Sequence, residues 1–212
     1  ALVEGVVAVR VLITGNLGYV GPVVACHLRD VFPDATLSGL DSGFFADCMT
    51  AEPAESERVI DHQYIADVRD LPWECLRGVD AVVHLAAISN DPIGNRYEDV
   101  TLDINHRATV ELASRARAAG VRNFVFASSC SVYGAADGAR TEASPLNPLT
   151  ASARSKVLAE RDLTPLGHDE FVVAWLRFAT ACGLSGRRRP GPPVLRYRAP
   201  QSGPGPVKPP VS

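Results

Sequence analysis

The chain has 212 residues, of which 46% are hydrophobic and 21% charged, and its formal net charge is −3. This size is enough for one hydrophobic core, and no run approaches the ~18 uninterrupted apolar residues of a membrane span. The five cysteines are scattered and form no C-x-x-C pair. Their pattern argues against a disulfide framework and a structural zinc site, and it favours a reducing, cytosolic setting.

Strand and helix patterns alternate along the chain. Apolar runs typical of buried strands occupy residues 9–14, 36–40, 63–66, 81–85, 123–127 and 170–178. Helix patterns occupy residues 19–30, 97–119 and 153–163, and the second of these has apolar residues three or four positions apart and stops at Gly120. This alternation predicts a parallel sheet in a doubly wound α/β fold over residues 1–185.

A glycine-rich turn follows the first strand directly, with Gly15, Gly18 and Gly21 spaced three apart. Glycines let the backbone turn tightly and approach a pyrophosphate, and the following helix N-terminus offers free N–H groups. Asp41 ends the second strand about 20 residues beyond Gly21, where a carboxylate binds an adenosine ribose. No arginine follows Asp41 in the next two positions, so we expect NAD to be preferred over NADP.

These residues resemble the extended short-chain dehydrogenase/reductase family, the NAD-dependent epimerases and dehydratases that act on nucleotide sugars. Asp67 lies in a segment similar to one whose Asp contacts adenine in the family, and His84-Leu-Ala-Ala87 resembles a strand-four signature that lines the cofactor. The resemblance implies a Rossmann-like fold, NAD as cofactor and a nucleotide sugar as substrate. It implies these cofactor-binding residues: Gly15, Asn16, Leu17, Gly18, Gly21, Asp41, Asp67, Val68, Leu85, Ala86, Ala87 and Lys156.

The catalytic residues are also implied by the resemblance. The strand-five segment from Phe126 to Gly134 is similar to the one that contributes the catalytic hydroxyl, here Ser129. The family's Tyr-x-x-x-Lys pair falls on Ser152 and Lys156. In the family the Lys binds the nicotinamide ribose and lowers the pKa of the Tyr, which serves as acid and base. Serine is shorter and a much weaker acid, so we expect impaired catalysis.

Two neighbouring residues, Tyr133 and Cys130, are candidate substitutes for the missing tyrosine. Tyr133 is common at its position in the family without a catalytic role, and Cys130 is interpreted as a small buried thiol. The family's 4,6-dehydratases carry an Asp-Glu pair where this chain has Cys130-Ser131. Epimerase or keto-reductase chemistry is therefore favoured over dehydration, with a non-catalytic NAD-binding protein as the alternative.

The remaining side chains receive structural or surface roles. His84 and Asn105 are expected to be structural, and the five histidines are not spaced as metal ligands, so no metal site is expected. The resemblance implies a homodimer through the helices near residues 97–120 and 153–163. No membrane partner is expected.

The last part of the chain differs in composition from the rest. Residues 1–185 hold 15 basic and 24 acidic side chains, whereas residues 186–212 hold six basic and no acidic ones together with eight of the 16 prolines. We expect a disordered basic tail after Ser185. Either the tail is native or the coding frame is lost near Ser185, and the family's C-terminal substrate domain is truncated or absent here. Basic residues before Ser185 are dispersed, so no nucleic-acid partner is expected, although the tail leaves RNA tethering as a weaker alternative.

Overall fold

A computed structural model describes residues 8–44, 58–89, 91–135, 138–179 and 181. In these ranges six parallel strands form one sheet, in the order β3-β2-β1-β4-β5-β6. The strands are β1 (Arg10–Thr14), β2 (Thr36–Asp41), β3 (His62–Ile65), β4 (Ala81–His84), β5 (Asn123–Ser129) and β6 (Val172–Phe178). The predicted doubly wound α/β fold is confirmed.

Helices connect the strands on both faces of the sheet. They are α1 (Gly21–Val31), α2 (Asp91–Arg96), α3 (Glu98–Leu102), α4 (Ala108–Ala118) and α5 (Ala151–Leu163), and a π-helical turn (Asp103–Arg107) joins α3 to α4. Alternate residues of β1 enter different cores: Val11 and Ile13 pack on the α1 side, and Leu12 packs with the residues of α4 and α5. This period of two follows from the strand's geometry.

The three predicted helices differ from the observed ones in their bounds, and the third begins at Ala151 rather than at residue 153. The first begins at Gly21 rather than at residue 19, because Pro22 suits the first turn of a helix while Tyr19 and Val20 belong to the glycine turn. The predicted helix over residues 97–119 begins at Glu98, ends at Ala118 and contains the π-helical turn. That turn adds a residue and rotates the preceding face by about 100°. Thr101 is therefore buried, while Val100 is 40% exposed.

The strand order reverses direction between β1 and β4. From β1 the chain moves outward to β2 and β3, then returns to pair β4 with the other side of β1. The chain leaves β1 toward α1 on one face of the sheet and leaves β4 toward α4 on the other face. The crevice at this reversal is where ligands bind in open α/β sheets. None of the helices in the described ranges combines the length and apolar character that a membrane crossing requires.

Candidate cofactor and catalytic site

The glycine turn lies at this crevice, between β1 and α1. Gly15 has φ +73°, and a Cβ there would stand 2.6 Å from the backbone nitrogen of Ala86, in the loop after β4. A Cβ at Gly21 would collide with the backbone of Asn16. A Cβ at Gly18 would meet only the Gly15 carbonyl, at 3.2 Å. Gly15 thus lets the loops after β1 and β4 approach each other, Gly21 lets the start of α1 pack on the turn, and Gly18 has more space around it.

Polar contacts fix the turn from the neighbouring strands. Asn16 is buried, and its side-chain amide exchanges hydrogen bonds of 2.6 and 3.3 Å with Gln63 of β3. Gly39 on β2 leaves the space for this pair, since a Cβ there would collide with Asn16. Gln63 and Gly39 were not singled out from the sequence, because nothing in a linear pattern places β3 beneath the turn after β1.

Asp41 lies beside the same turn at the end of β2. One of its carboxylate oxygens accepts a 3.1 Å hydrogen bond from the Leu17 N–H, and the other accepts a 2.9 Å bond from the Gly43 N–H. Each carboxylate oxygen can accept further hydrogen bonds. The position and chemistry of Asp41 therefore fit the two hydroxyls of an adenosine ribose.

The start of α1 carries no side-chain cap, because Val20 occupies the N-cap position. The backbone N–H groups of its first turn can therefore serve an anionic ligand. Together with the glycine turn and Asp41, they form a cradle that fits the adenosine diphosphate half of NAD.

Asp67 and Val68 lie at the first 3-10 turn after β3. Arg69 holds both carboxylate oxygens of Asp67 at 2.7 to 3.0 Å, and these hydrogen bonds lower the pKa of Asp67. Val68 is buried. The side chain of Asp67 is thus fixed by its neighbour at the edge of the crevice.

The loop after β4 passes close to the glycine turn. The Leu85 N–H donates to the Thr14 carbonyl at 3.0 Å, which fixes the start of the Leu85–Ala87 segment beside the end of β1. His84 is buried at the end of β4, between the hydroxyls of Thr14 and Thr109 at 2.6 and 2.8 Å. Burial lowers the pKa of His84 to about 3. The imidazole is therefore neutral and holds β4 against β1 and α4.

Ser129 ends β5, and its hydroxyl oxygen accepts hydrogen bonds from the Ser131 backbone N–H at 3.1 Å and the Ser131 hydroxyl at 2.8 Å. Both bonds use the oxygen of Ser129 as acceptor, so its own proton points to other acceptors. Ser129 is half-buried. It is suitably placed to donate a hydrogen bond to a ligand in front of β5.

Lys156 reaches β5 from α5. Its ammonium donates to the Ala127 carbonyl at 2.7 Å and stands 4.5 Å from the centre of the Phe126 ring. Lys156 is only 5% exposed, and burial lowers its pKa to about 8, although the nearby Glu160 carboxylate opposes the shift. The structure thus brings Lys156 and Ser129 to the same end of β5.

Ser152 occupies the position one helical turn before Lys156. It is 8% exposed, and its hydroxyl donates to the Ile88 carbonyl at 3.3 Å. Asn105, from the π-helical turn, binds both the N–H and the carbonyl of Ile88 and contacts Ser155. The Ser152 hydroxyl therefore joins Asn105 in fixing the loop after β4.

The two candidate substitutes for the missing tyrosine have different environments. The Tyr133 hydroxyl accepts a 2.8 Å hydrogen bond from Arg177, whose guanidinium lies 5.1 Å from the ring centre. Cys130 is exposed, so its interpretation as a buried thiol was wrong. The chain leaves the sheet in a 3-10 turn that begins at Cys130. The Cys130 side chain lines a cleft of about 660 Å³ together with Tyr133, Trp175 and Phe178.

Within the described ranges, no group of three or more His, Cys, Asp or Glu side chains is arranged to hold a metal ion. Glu160 and Arg177, which form a buried ion pair behind Ser129, were not identified as site residues from the sequence. Their charges are far apart along the chain, and only the packing of α5 on β6 brings them together.

Comparisons with known proteins agree with this geometry. A model of the NAD dependent epimerase/dehydratase family matches residues 11–194, continuing past Ser185 into the basic segment. The chain is 32% identical over 162 residues to a UDP-glucose 4-epimerase of Streptomyces lividans, covering 73% of this chain and 46% of the relative. It is 29% identical over 163 residues to a dTDP-D-glucose 4,6-dehydratase of Mus musculus, covering 74% and 45%.

The fold of the chain also matches a solved structure of a nucleotide-sugar epimerase. A UDP-glucose-4-epimerase from Stenotrophomonas maltophila with bound NAD and formylated UDP-arabinopyranose superposes with a TM-score of 0.68 at 27% identity. The superposition covers 80% of this chain and 52% of that one. The chain thus spans about half the length of the relatives and structures it matches.

Proposed function

Since the chain belongs to the NAD-dependent epimerase/dehydratase family, we propose that it binds NAD in the crevice between β1 and β4. The glycine turn and the start of α1 hold the pyrophosphate, Asp41 binds the adenosine ribose, and Lys156 binds the nicotinamide ribose. When bound, NAD supplies hydride acceptance and return at a sugar carbon. The substrate class we propose is a nucleotide sugar.

We further propose that catalysis in this chain is impaired. The observation that carries this proposal is the Ser152 hydroxyl, which is buried and hydrogen-bonded to the Ile88 carbonyl where the family has its acid/base tyrosine. Ser129 can orient a substrate hydroxyl and Lys156 can hold the cofactor, but neither replaces a phenol that gives up and recovers a proton. Tyr133 is engaged by Arg177, which argues against its substitution for that phenol.

Within the family, we favour epimerase or keto-reductase chemistry over 4,6-dehydration. Relatives of both kinds match the chain, so the choice rests on Cys130 and Ser131, which stand in place of the acidic pair implied for dehydratases. Ser131 uses its hydroxyl to bind Ser129. Neither side chain offers a carboxylate to protonate and deprotonate a sugar during loss of water.

The alternative is a protein that binds NAD without catalysis, or a truncated remnant of a longer enzyme. The same environment of Ser152 favours it. The impaired enzyme and the non-catalytic protein both retain the cofactor site, and they differ only in whether the nucleotide sugar is turned over.

Turnover of UDP-glucose with saturating NAD separates these proposals. We expect the wild-type chain to show little or no turnover. Ser152→Tyr restores the family's tyrosine and should raise turnover if the rest of the catalytic site is intact. Ser114→Tyr, on partly exposed α4 surface, is the matched control and should gain nothing. Ordinary turnover by the wild type would contradict impairment at Ser152, whereas no gain in Ser152→Tyr would favour the non-catalytic alternative.

We also propose a homodimer formed through the helices near residues 97–120 and 153–163. Apolar side chains are exposed on the first of these segments, with Tyr97 51% and Val100 40% exposed. Burial of such side chains in a partner's matching surface would stabilise a symmetric pair.

The division of the chain at Ser185 remains a proposal as well. We propose an NAD-binding domain over residues 1–185 and a basic, disordered tail over residues 186–212, on the charge and proline contrast of the sequence. The tail lies outside the described residues. A cytoplasmic setting is proposed on the cysteine pattern, and Cys75 and Cys130 are free thiols.

A further inference from the structure

Three buried side chains on successive turns of α5 face the carboxyl ends of the central strands. Ser152, Lys156 and Glu160 are spaced four residues apart, so they lie on one face of the helix. Ser152 binds the loop after β4 and Lys156 binds β5. The third member, Glu160, has no part in the proposed cofactor contacts.

Glu160 is 5% exposed and joins α5 to two strands. One of its carboxylate oxygens accepts a 2.5 Å hydrogen bond from the Ser128 hydroxyl on β5. The Arg177 guanidinium on β6 binds the same carboxylate through two nitrogens, at 3.1 Å and 2.6 Å. Ser128 lies between Ala127, whose carbonyl binds Lys156, and Ser129.

Arg177 extends the connection to the far side of Ser129. A guanidinium nitrogen donates to the Tyr133 hydroxyl at 2.8 Å and to the Glu142 carbonyl at 3.3 Å. Tyr133 ends the 3-10 turn that begins directly after Ser129. The ion pair therefore holds the residue before Ser129 through Glu160 and the turn after it through Arg177.

Stability alone is a weak explanation for such a pair. Removing two charges from water is costly, and replacing a buried ion pair by apolar residues of similar volume is often neutral or stabilising. What the pair supplies is direction, because a bidentate carboxylate–guanidinium contact fixes both groups in one geometry. The pair contacts the chain on both sides of Ser129 and lies one helical turn beyond Lys156. Its fixed geometry therefore bears on the placement of these two residues.

We propose that Glu160, together with Arg177, is a positioning residue that sets Ser129 and Lys156 at the nicotinamide end of the cofactor site. This role for Glu160 rests on the proposed NAD site. Glu160 touches neither cofactor nor substrate and acts through Ser128, the β5 backbone and the turn that ends at Tyr133.

The test compares two ligands that share the adenosine half. NAD and ADP both engage the glycine turn and Asp41, but only NAD reaches Lys156 and Ser129. We expect Glu160→Gln and Ser128→Ala each to raise the Kd for NAD by about 3- to 10-fold, because part of the loss of one buried hydrogen bond is passed on to the contacts that Ser129 and Lys156 make with the cofactor. The Kd for ADP should not change, and calorimetric titration measures both.

Glu111→Gln is the matched control, since Glu111 pairs with Arg115 in an exposed contact on α4, and it should change neither Kd. Equal losses for NAD and ADP in Ser128→Ala would mean a general structural role and would overturn the proposal, as would unchanged NAD binding. Glu160→Gln leaves Arg177 unpaired, so if it fails to fold, Ser128→Ala decides the matter alone. A wild-type chain that binds ADP but not NAD would contradict the proposed function itself.

Discussion

Asp41 connects the end of β2 to the glycine turn through its hydrogen bonds with the Leu17 and Gly43 N–H groups. Its carboxylate is thus held in one orientation before any ligand arrives. A fixed negative charge at this place attracts ribose hydroxyls and repels a 2′-phosphate. The expected preference for NAD over NADP therefore depends on this one side chain.

We predict that Asp41→Asn lowers the ratio of NAD to NADP affinity about tenfold, because the amide removes the charge and offers only one acceptor oxygen. Fluorescence titration with both dinucleotides measures the ratio. Asp34→Asn, at an exposed position after α1, is the control. An unchanged ratio in Asp41→Asn would assign the discrimination to another residue.

Lys156 gives the cofactor site a pH dependence. Burial lowers the pKa of Lys156 to about 8, so its ammonium is lost on raising the pH through about 8 rather than at the much higher pH of an exposed lysine. We predict that NAD affinity is full below about pH 7, declines through about pH 8 and is lowest above about pH 9, as measured by titrations between about pH 6 and about pH 10. Lys156→Met should bind more weakly and show no such decline. Constant wild-type affinity over this range would mean that the ammonium makes no contribution.

At the scale of elements, the π-helical turn between α3 and α4 determines where Asn105 points. The side chain is fully buried and binds the Ile88 N–H and carbonyl at 2.8 and 2.9 Å, with Ser155 at 3.2 Å. A regular helix through this segment would present a different face to the loop after β4. The π-helical turn and Asn105 together hold that loop beside the cofactor crevice.

We predict that Asn105→Ala lowers the free energy of unfolding by roughly 1–3 kcal/mol, since it removes the Asn105 partner of the Ile88 N–H and leaves the Ile88 carbonyl with Ser152 alone. Urea unfolding measures the change. Asn123→Ala, at the exposed start of β5, should cost much less. Equal midpoints for the two variants would show that the Asn105 hydrogen bonds contribute little.

Local patterns predicted the elements whose signals are local. The apolar runs predicted the six strands of the described residues, and the structure places Asp41 beside the glycine turn and Lys156 at the end of β5. The π-helical turn was not predictable, because the stripe from Val100 to Leu112 fits a regular helix and the deviation comes from the buried contacts of Asn105. The exposure of Cys130 depends on where the chain leaves the sheet, and the Glu160–Arg177 pair depends on long-range packing of α5 on β6. Neither the exposure of Cys130 nor the Glu160–Arg177 pair can be predicted from a sequence pattern.

At the scale of the whole molecule, the described residues form the nucleotide-binding part of the family's architecture. The sheet, its strand order and the crevice need only this part of the chain. The match covers 46% of the Streptomyces lividans relative and 45% of the Mus musculus relative, so turnover by this chain is a proposal separate from cofactor binding. Cofactor binding and turnover are therefore separable properties of this chain.

The proposed dimer is also a property of the whole molecule. We predict that Val100→Glu converts the dimer into a monomer in sedimentation velocity, because it places a charge in the proposed apolar contact. Val172→Glu is the control, since Val172 is similarly exposed on β6, away from these helices. Dissociation by the control instead of Val100→Glu would place the interface elsewhere.

Binding of NAD to the wild-type chain tests the central claim most directly. Equilibrium dialysis or calorimetry should find saturable binding of about one NAD per chain, with ADP as a competitor, because the adenosine half of the site is complete in the described residues. Absence of saturable NAD binding to the folded chain would contradict the account, whatever the outcome of any turnover assay.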